Sequence, residues 1–472
     1  MLFNSFEFLI FFPVVCLIYF ILPSLKSRNI WLLIASYYFY MCWKPIYALL
    51  IMGSTLITYV CGIYVEQLRS KPSRQRLILT LSLLINFGIL FLFKYYNFIN
   101  ESIFSFLDWL HIKWDVPNLD VLLPVGISFY TFQAVGYTID IYRGKLPAEK
   151  NFFTYALFVS FFPQLVAGPI ERATNLLPQF HQKHTFNYNN AIEGVKLMLW
   201  GFFMKLCIGD MLSGYVDAVY NNVPNHNGTS LLLATILFTF QIYCDFGGYS
   251  NIAIGAAKFM GYSLMENFHR PYFALSIKDF WRRWHISLSS WFADYVYIPL
   301  GGNRVKYSRH LLNLLITFLV SGIWHGANWT FFFWGAIHGT YLIIENVLRK
   351  YLYNPIPNRW WSKAFSMLCC FIMVAFAWIF FRANTVHDAF SIIGKIFSDQ
   401  GPLFIDKLVF INGFLGITLL LIKDLKDEFN WKIFHFMHAR QITVRYISVI
   451  GIICYILLFG ALSGGSFIYF QF

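Results

Sequence analysis

Apolar runs long enough to cross a bilayer recur along almost the whole chain, and they constrain the fold more than any motif does. They fall at 4–22, 30–43, 46–65, 77–99, 120–141, 195–216, 231–258, 311–325, 329–347, 364–381, 408–422 and 446–462. A hydrocarbon core of about 30 Å takes roughly 20 helical residues. Inside it, every backbone polar group must be satisfied internally, which leaves helices or a closed barrel. Only 12% of the residues are charged, against about 25% in soluble domains. These runs predict an all-α polytopic membrane protein with about 11–12 spans. In 472 residues that leaves no room for a separate soluble domain, so one integral-membrane domain over 1–472 is expected.

The charges between the runs alternate in sign. Arg69, Lys71, Arg74 and Arg76 follow the third run, and Arg143, Lys145 and Lys150 follow the fifth; both loops read as cytoplasmic by the positive-inside rule. Glu101, Asp108, Asp115 and Asp120 lie between, on the outer side. This alternation puts the N-terminus outside. Cytoplasmic loops also account for the formal charge of +13 without invoking nucleic acid. Phe6 to Leu22 has no basic n-region and no small-residue cleavage site, so it reads as a first span and not as a cleaved signal. The eight cysteines are scattered through apolar sequence with no CxxC pair, which predicts free thiols and no metal site.

Two apolar stretches do not fit as spans. Residues 152–170 contain Pro163 and Pro169, and residues 284–300 lie between Arg282-Arg283 and Arg304, Lys306 and Arg309; both have cytoplasmic-type flanks. They are expected to be re-entrant or interfacial helices, which are tolerated where protein packs around them. The break from Gly326 to Asn328 reads either as a kink or as a turn, and the sidedness of everything after it depends on which.

Against this background two histidines stand out, His285 in Trp284-His285 and His325 in Trp324-His325-Gly326. An ionisable residue at membrane depth is costly and marks a polar pathway or a reaction site, and neutral imidazole exchanges protons near pH 7. The competing reading is a core histidine bonded to a neighbouring helix. Ser321 and Asn328 flank His325. His338, 13 residues further on, would lie about 220° round one straight helix, which rules out an i,i+4 metal pair. Gln241 and Asp245 stand beside Gly247-Gly248 in an apolar run, which suggests a broken helix lining a cavity. Asp245 would then orient a histidine, bind a cation, or pair with Lys205 or Lys258. Arg282, Arg283, Arg304 and Lys306 form a basic group suited to an anionic carrier such as a coenzyme A or phosphopantetheine thioester; an amphipathic surface helix would explain the arginines and tryptophans equally well. No serine elbow, Walker loop or H-E-x-x-H motif is present.

The ordered segments LPVGISFYTFQ (123–133), QLVAGPIER (164–172), QIYCDFGGYSNIAIG (241–255), FWRRWHISLSSWFADYVYIPLGG (280–302) and SGIWHGANWTFFFWGAIHG (321–339) resemble the membrane-bound O-acyltransferase family, and within it the bacterial branch that serves alginate O-acetylation. The resemblance covers about residues 5 to 460 and is weakest in the last fifth. It implies helices in a ring around a tunnel, with His325 as the catalytic histidine and His285 as the second functional one. It also implies an acyl group moved from a cytoplasmic thioester, acetyl-coenzyme A or an acyl-carrier protein, to a hydroxyl. No bound cofactor is expected. The implied setting is a bacterial inner membrane, with a periplasmic acyltransferase partner and a polysaccharide acceptor. His325 would act as general base, with Asn328, Trp329 or His285 as oxyanion donors and Trp324, Ser321, Gln241 and His338 in supporting places. Direct transfer is expected ahead of an acyl-enzyme on Ser321 or Ser289. The competing function is a transporter or flippase coupled through Asp245 and Lys205.

Overall fold

The computed structural model of the chain describes residues 1–166, 168–352, 359–405, 407–431, 437, 441–462 and 467–470. Among these residues the secondary structure is helical throughout. Each of the twelve expected spans is a helix or a run of abutting helices. Six, at Tyr47–Gln67, Pro72–Trp109, Gly228–Phe259, Trp329–Tyr351, Trp360–Arg382 and Ile442–Phe459, are long and apolar enough to cross a membrane by length and composition. The others are shorter or more polar, and their local causes can be read from the chain. The run expected at 120–141 becomes a helix only over Ile127–Tyr142. Pro124 precedes it, and Gly126 at its start holds φ +73° in the left-handed region, where a side chain would be strained.

The chain divides into two compact units, Met1–Val195 with Ala253–Met265, and Lys196–Ile252 with Glu266–Phe472. In the first unit, Ile127–Tyr142 is buried on nearly all sides. Gln133 and Gln164 both donate to the Phe158 carbonyl, each at 2.7 Å. The stretch 152–170 forms two short helices, Phe152–Ser160 and Phe162–Leu165. Nine residues rise only about 14 Å, too little to span, as expected. Glu171 accepts from Asn175 Nδ2 at 2.8 Å and from the Met265 amide.

The second unit carries both singled-out histidines. The stretch 284–300 is again short, with a helix Ile286–Phe292 running into a single wider π-turn at Ala293–Tyr297. The break at Gly326 is a turn. The helix Tyr307–His325 ends there, and Asn328 caps the next helix, Trp329–Tyr351, by accepting from the Thr330 amide at 3.0 Å. The two helices fold back on each other as a hairpin. A Cβ on Gly322 would collide with the Phe331 carbonyl, and one on Gly335 with the Phe318 carbonyl. Small residues at such a seam let backbones approach, which is how helices associate where no hydrophobic drive separates them from lipid.

One expectation fails. The helix Gly228–Phe259 runs unbroken through Gln241–Asn251. Gly248 serves contact, not breakage: its Cβ would lie 2.7 Å from the Gly201 carbonyl, and a Cβ on Gly201 would lie 2.6 Å from the Gly248 carbonyl.

The hairpin seam gives a direct test. Gly335→Val should destabilise the detergent-solubilised protein by roughly 1–3 kcal/mol through overpacking. Gly394 has nothing within 4 Å of its would-be Cβ, and Gly394→Ala should leave stability equal or up to about 1 kcal/mol higher. Thermal unfolding of the two variants beside wild type checks both, and a Gly335→Val protein that melts with wild type would refute the seam.

Candidate active site

His325 is the last residue of its helix, and the chain leaves it through Gly326 in extended conformation. Any side chain at 326 would strike the Phe331 ring. His285 sits in the bend between Ile277–Arg283 and Ile286–Phe292, with φ 43° and ψ 55°. That left-handed conformation is uncommon outside glycine and persists where the surroundings enforce it. The two side chains are buried, 0% and 2% exposed, so neither is a surface residue. Their ring centroids are 6.5 Å apart. With a nitrogen of each aimed at the other the gap is still roughly 4 Å, beyond the ordinary 2.7–3.2 Å bond. The rings are too far apart to bond each other and close enough for one oxygen atom to bond both.

Aromatic rings frame the pair. His325 meets Trp324, Trp334, Phe381 and Tyr469 at centroid distances of 5.0, 4.9, 5.3 and 5.7 Å. His285 meets Phe246 at 4.6 Å, Trp324 at 6.2 Å and Tyr469 at 6.4 Å. Burial pushes the His285 imidazole below its ordinary value, which favours the neutral ring. His338, on the far arm of the hairpin, touches Trp334 at 5.0 Å, and its Nδ1 accepts from the Trp281 indole at 3.3 Å. Its proton therefore sits on Nε2. His325 and His338 both touch Trp334.

The other expected residues divide. Trp324 joins the centre, and Ser321 is buried one turn before His325 on the same helix. Asn328 does not turn its amide to the histidines: Oδ1 caps Thr330, and Nδ2 donates to the Asn384 carbonyl at 3.0 Å. Asp245 orients no histidine. It pairs with Lys205, which also bonds Asp210 at 2.6 Å, and its second oxygen accepts from the Ile468 amide at 2.7 Å. Of the readings open for Asp245, the structural pair with Lys205 is therefore the one found. Gln241 is buried one turn away from it. In the basic group Arg282, Arg304 and Lys306 are exposed. Arg283 is committed: it donates twice to Glu428, at 2.9 and 3.0 Å, and to Asp279 at 3.2 Å, while Arg270 holds the same Glu428 at 2.7 Å.

Three residues here were not foreseen. Tyr469 comes from the segment after the last span, where the family resemblance is weakest, and Phe467 packs beside it on Phe246 and Tyr249 at 5.6 and 4.7 Å. The cluster of aromatics at 467–470 was the available signal. Asn267 lies under His285, and Glu428 clamps the arginines; both looked like ordinary loop polar residues.

A family model for the membrane-bound O-acyltransferases matches residues 143–386. The probable alginate O-acetylase of Pseudomonas putida is 39% identical over 404 residues, 84% of this chain and 80% of that protein. The peptidoglycan O-acetyltransferase of Helicobacter pylori is 35% identical over 430 residues, 83% and 79% of the two chains. The teichoic acid D-alanyltransferase of Bacillus subtilis is more distant, 27% identical over 284 residues, 57% of this chain and 71% of that one. An all-helical, multi-pass membrane protein with a buried, ring-framed histidine pair is thus matched to enzymes that esterify hydroxyls. The chain belongs to the membrane-bound O-acyltransferase family and is an acyltransferase.

The Glu428 clamp has a pH signature. Burial alone would raise this carboxyl, but the hydrogen bonds from Arg283 and Arg270 outweigh it and hold it below its ordinary value. A carboxyl depressed in the folded state stabilises fully above its unfolded value, and that contribution is lost as pH falls through the lower folded value. The melting temperature of wild type should therefore fall from about pH 5 downward more steeply than that of Glu428→Gln. Parallel curves would mean the clamp carries no net stability.

Proposed function

We propose that the enzyme moves an acetyl group from a cytoplasmic thioester to a hydroxyl of a cell-envelope polysaccharide, across a bacterial inner membrane. The observation that carries this is the buried His285–His325 pair, together with relatives named for O-acetylation of alginate and of peptidoglycan. A sugar hydroxyl is a weak nucleophile at neutral pH. His325 takes its proton as the oxygen attacks the thioester carbonyl, a contribution of roughly 10²–10⁴-fold. The C–S bond breaks, the ester C–O bond forms, and the departing thiolate takes the proton back from the imidazolium. The aromatic frame keeps water from the thioester meanwhile.

Arg282, Arg304 and Lys306, exposed and uncommitted to the Glu428 clamp, suit the phosphates of coenzyme A or of a carrier protein's phosphopantetheine. The turn at Gly326 supports one sidedness. With a hairpin there, Arg349, Lys350, Arg359 and Lys363 and the charged segment from Lys423 to Glu428 fall on the same side as Arg270 and Arg283, which favours the cytoplasm for all of them. The pairs Arg382–Asp217 at 2.5 Å and Asn384–Asn221 at 3.1 Å then lie on the opposite face. The loop charges support an outer N-terminus as well, and a periplasmic acyltransferase would receive the group on that outer face.

His325→Ala should lower ester-linked acetate on one envelope polymer by about 10²-fold or more, with the protein still present in the membrane. Mass analysis of base-released acetate from each glycan fraction reads this and names the acceptor. Unchanged acetate on every polymer would refute both the acetyl group and the base.

A further inference from the structure

Beneath His285 lies Asn267, 1% exposed and unassigned by any motif. Its backbone carbonyl accepts from the Ile286 amide at 2.9 Å, pinning the residue that follows the histidine. Its side-chain oxygen accepts from the Ser287 hydroxyl at 2.7 Å and from the Ser287 amide at 3.4 Å. Its side-chain nitrogen faces the Ser250 hydroxyl at 3.1 Å. A backbone amide only donates, so the carboxamide atom turned to Ser287 is the oxygen. That same oxygen is 3.1 Å from His285 Nδ1. Two acceptors cannot bond, so Nδ1 carries the proton.

We propose that Asn267 is a positioning residue that fixes His285 as its Nδ1–H tautomer and so makes Nε2 the proton-accepting atom of that ring. This rests on the acyl-transfer reading above and divides the labour within it. In a neutral ring Nε2 has a lone pair and no hydrogen, so His285 receives protons and hydrogen bonds and does not supply the oxyanion with a donor. The carbonyl oxygen must find its N–H groups elsewhere. The hairpin offers one beside His325, the indole N–H of Trp334, whose ring lies 4.9 Å from that of His325 and which is fully buried with no acceptor among the described residues. The left-handed backbone at 285 fits the same account, because the Ile286 and Ser287 contacts to Asn267 are what enforce it.

The test separates tautomer from packing. The full-length protein is studied in membrane vesicles with acetyl-coenzyme A as the probe donor, as wild type, Asn267→Ala and Asn267→Asp. Nitrogen-15 spectra of histidine-labelled protein, with His285→Gln as the assignment control, report the tautomer independently of turnover. Among the described residues, the ionisable side chains in ring contact with His285 are His325 and Tyr469, and both are unchanged in these variants. Expected for Asn267→Ala are a mixed or Nε2–H ring and transfer lowered at least about tenfold at wild-type abundance. Asn267→Asp keeps the three acceptor contacts and adds a charge that favours the imidazolium. It should retain the Nδ1 proton and move the acid limb of kcat/KM upward by about one pH unit or more. A wild-type tautomer in Asn267→Ala would overturn the proposal, as would an Asn267→Asp profile that superposes on wild type. Neither result bears on whether His325→Ala abolishes transfer, so the two readings fail separately.

Discussion

A neutral imidazole closed in by indole and phenyl rings depends on those rings in two ways. In the proposed transfer they would exclude the water that hydrolyses a thioester, and they remove the solvent that would hold a proton on the imidazole. In such surroundings the charged form is disfavoured, so the neutral ring keeps a lone pair free to accept a proton. The same dryness makes every other buried polar atom expensive unless it is partnered. The polar contacts around the centre follow from that demand. Asn267 satisfies Ser287, Ile286 and His285 at once, Trp281 satisfies one nitrogen of His338, and Glu428 accepts from two arginines.

Bringing these groups together needs helix backbones closer than ordinary side chains allow. Gly322 and Gly335 set the hairpin that stands His325 against Trp334, and Gly201 and Gly248 set the crossing that stands Lys205 against Asp245. In both places the glycine lies in a regular helix. Its value there is the missing Cβ and not a special dihedral angle, which is why the glycines at 247–248 did not break their helix as the pattern suggested.

Most of the helical architecture was legible because membrane spans announce themselves by length and apolarity. The two irregular stretches were legible from charge on both flanks. His285 and His325 stood out because ionisable residues are rare at that depth. Asn267 and Glu428 did not, because an asparagine and a glutamate in polar loops carry no signal until the chain brings them under His285 and Arg283. In sequence the basic group is four equivalent charges; only the fold shows that Arg283 is occupied by a carboxylate 145 residues away. Asn328 is a related case: although it lies beside His325 in sequence, its amide is engaged as a helix cap.

Asp245 shows how a buried charge can look functional while acting through structure. One ammonium, Lys205, faces two carboxylates, Asp210 and Asp245. A transporter would use such a cluster by opening it to water and exchanging its cation. Here the remaining oxygen of Asp245 is bonded to the Ile468 amide, beside the segment that sets Tyr469 against both histidines. Breaking one partner out of a buried charge cluster is strongly destabilising because the others are left uncompensated. Loss of activity on substituting Asp245 or Lys205 would therefore follow from release of the tail that completes the histidine centre. It would carry no implication of ion coupling.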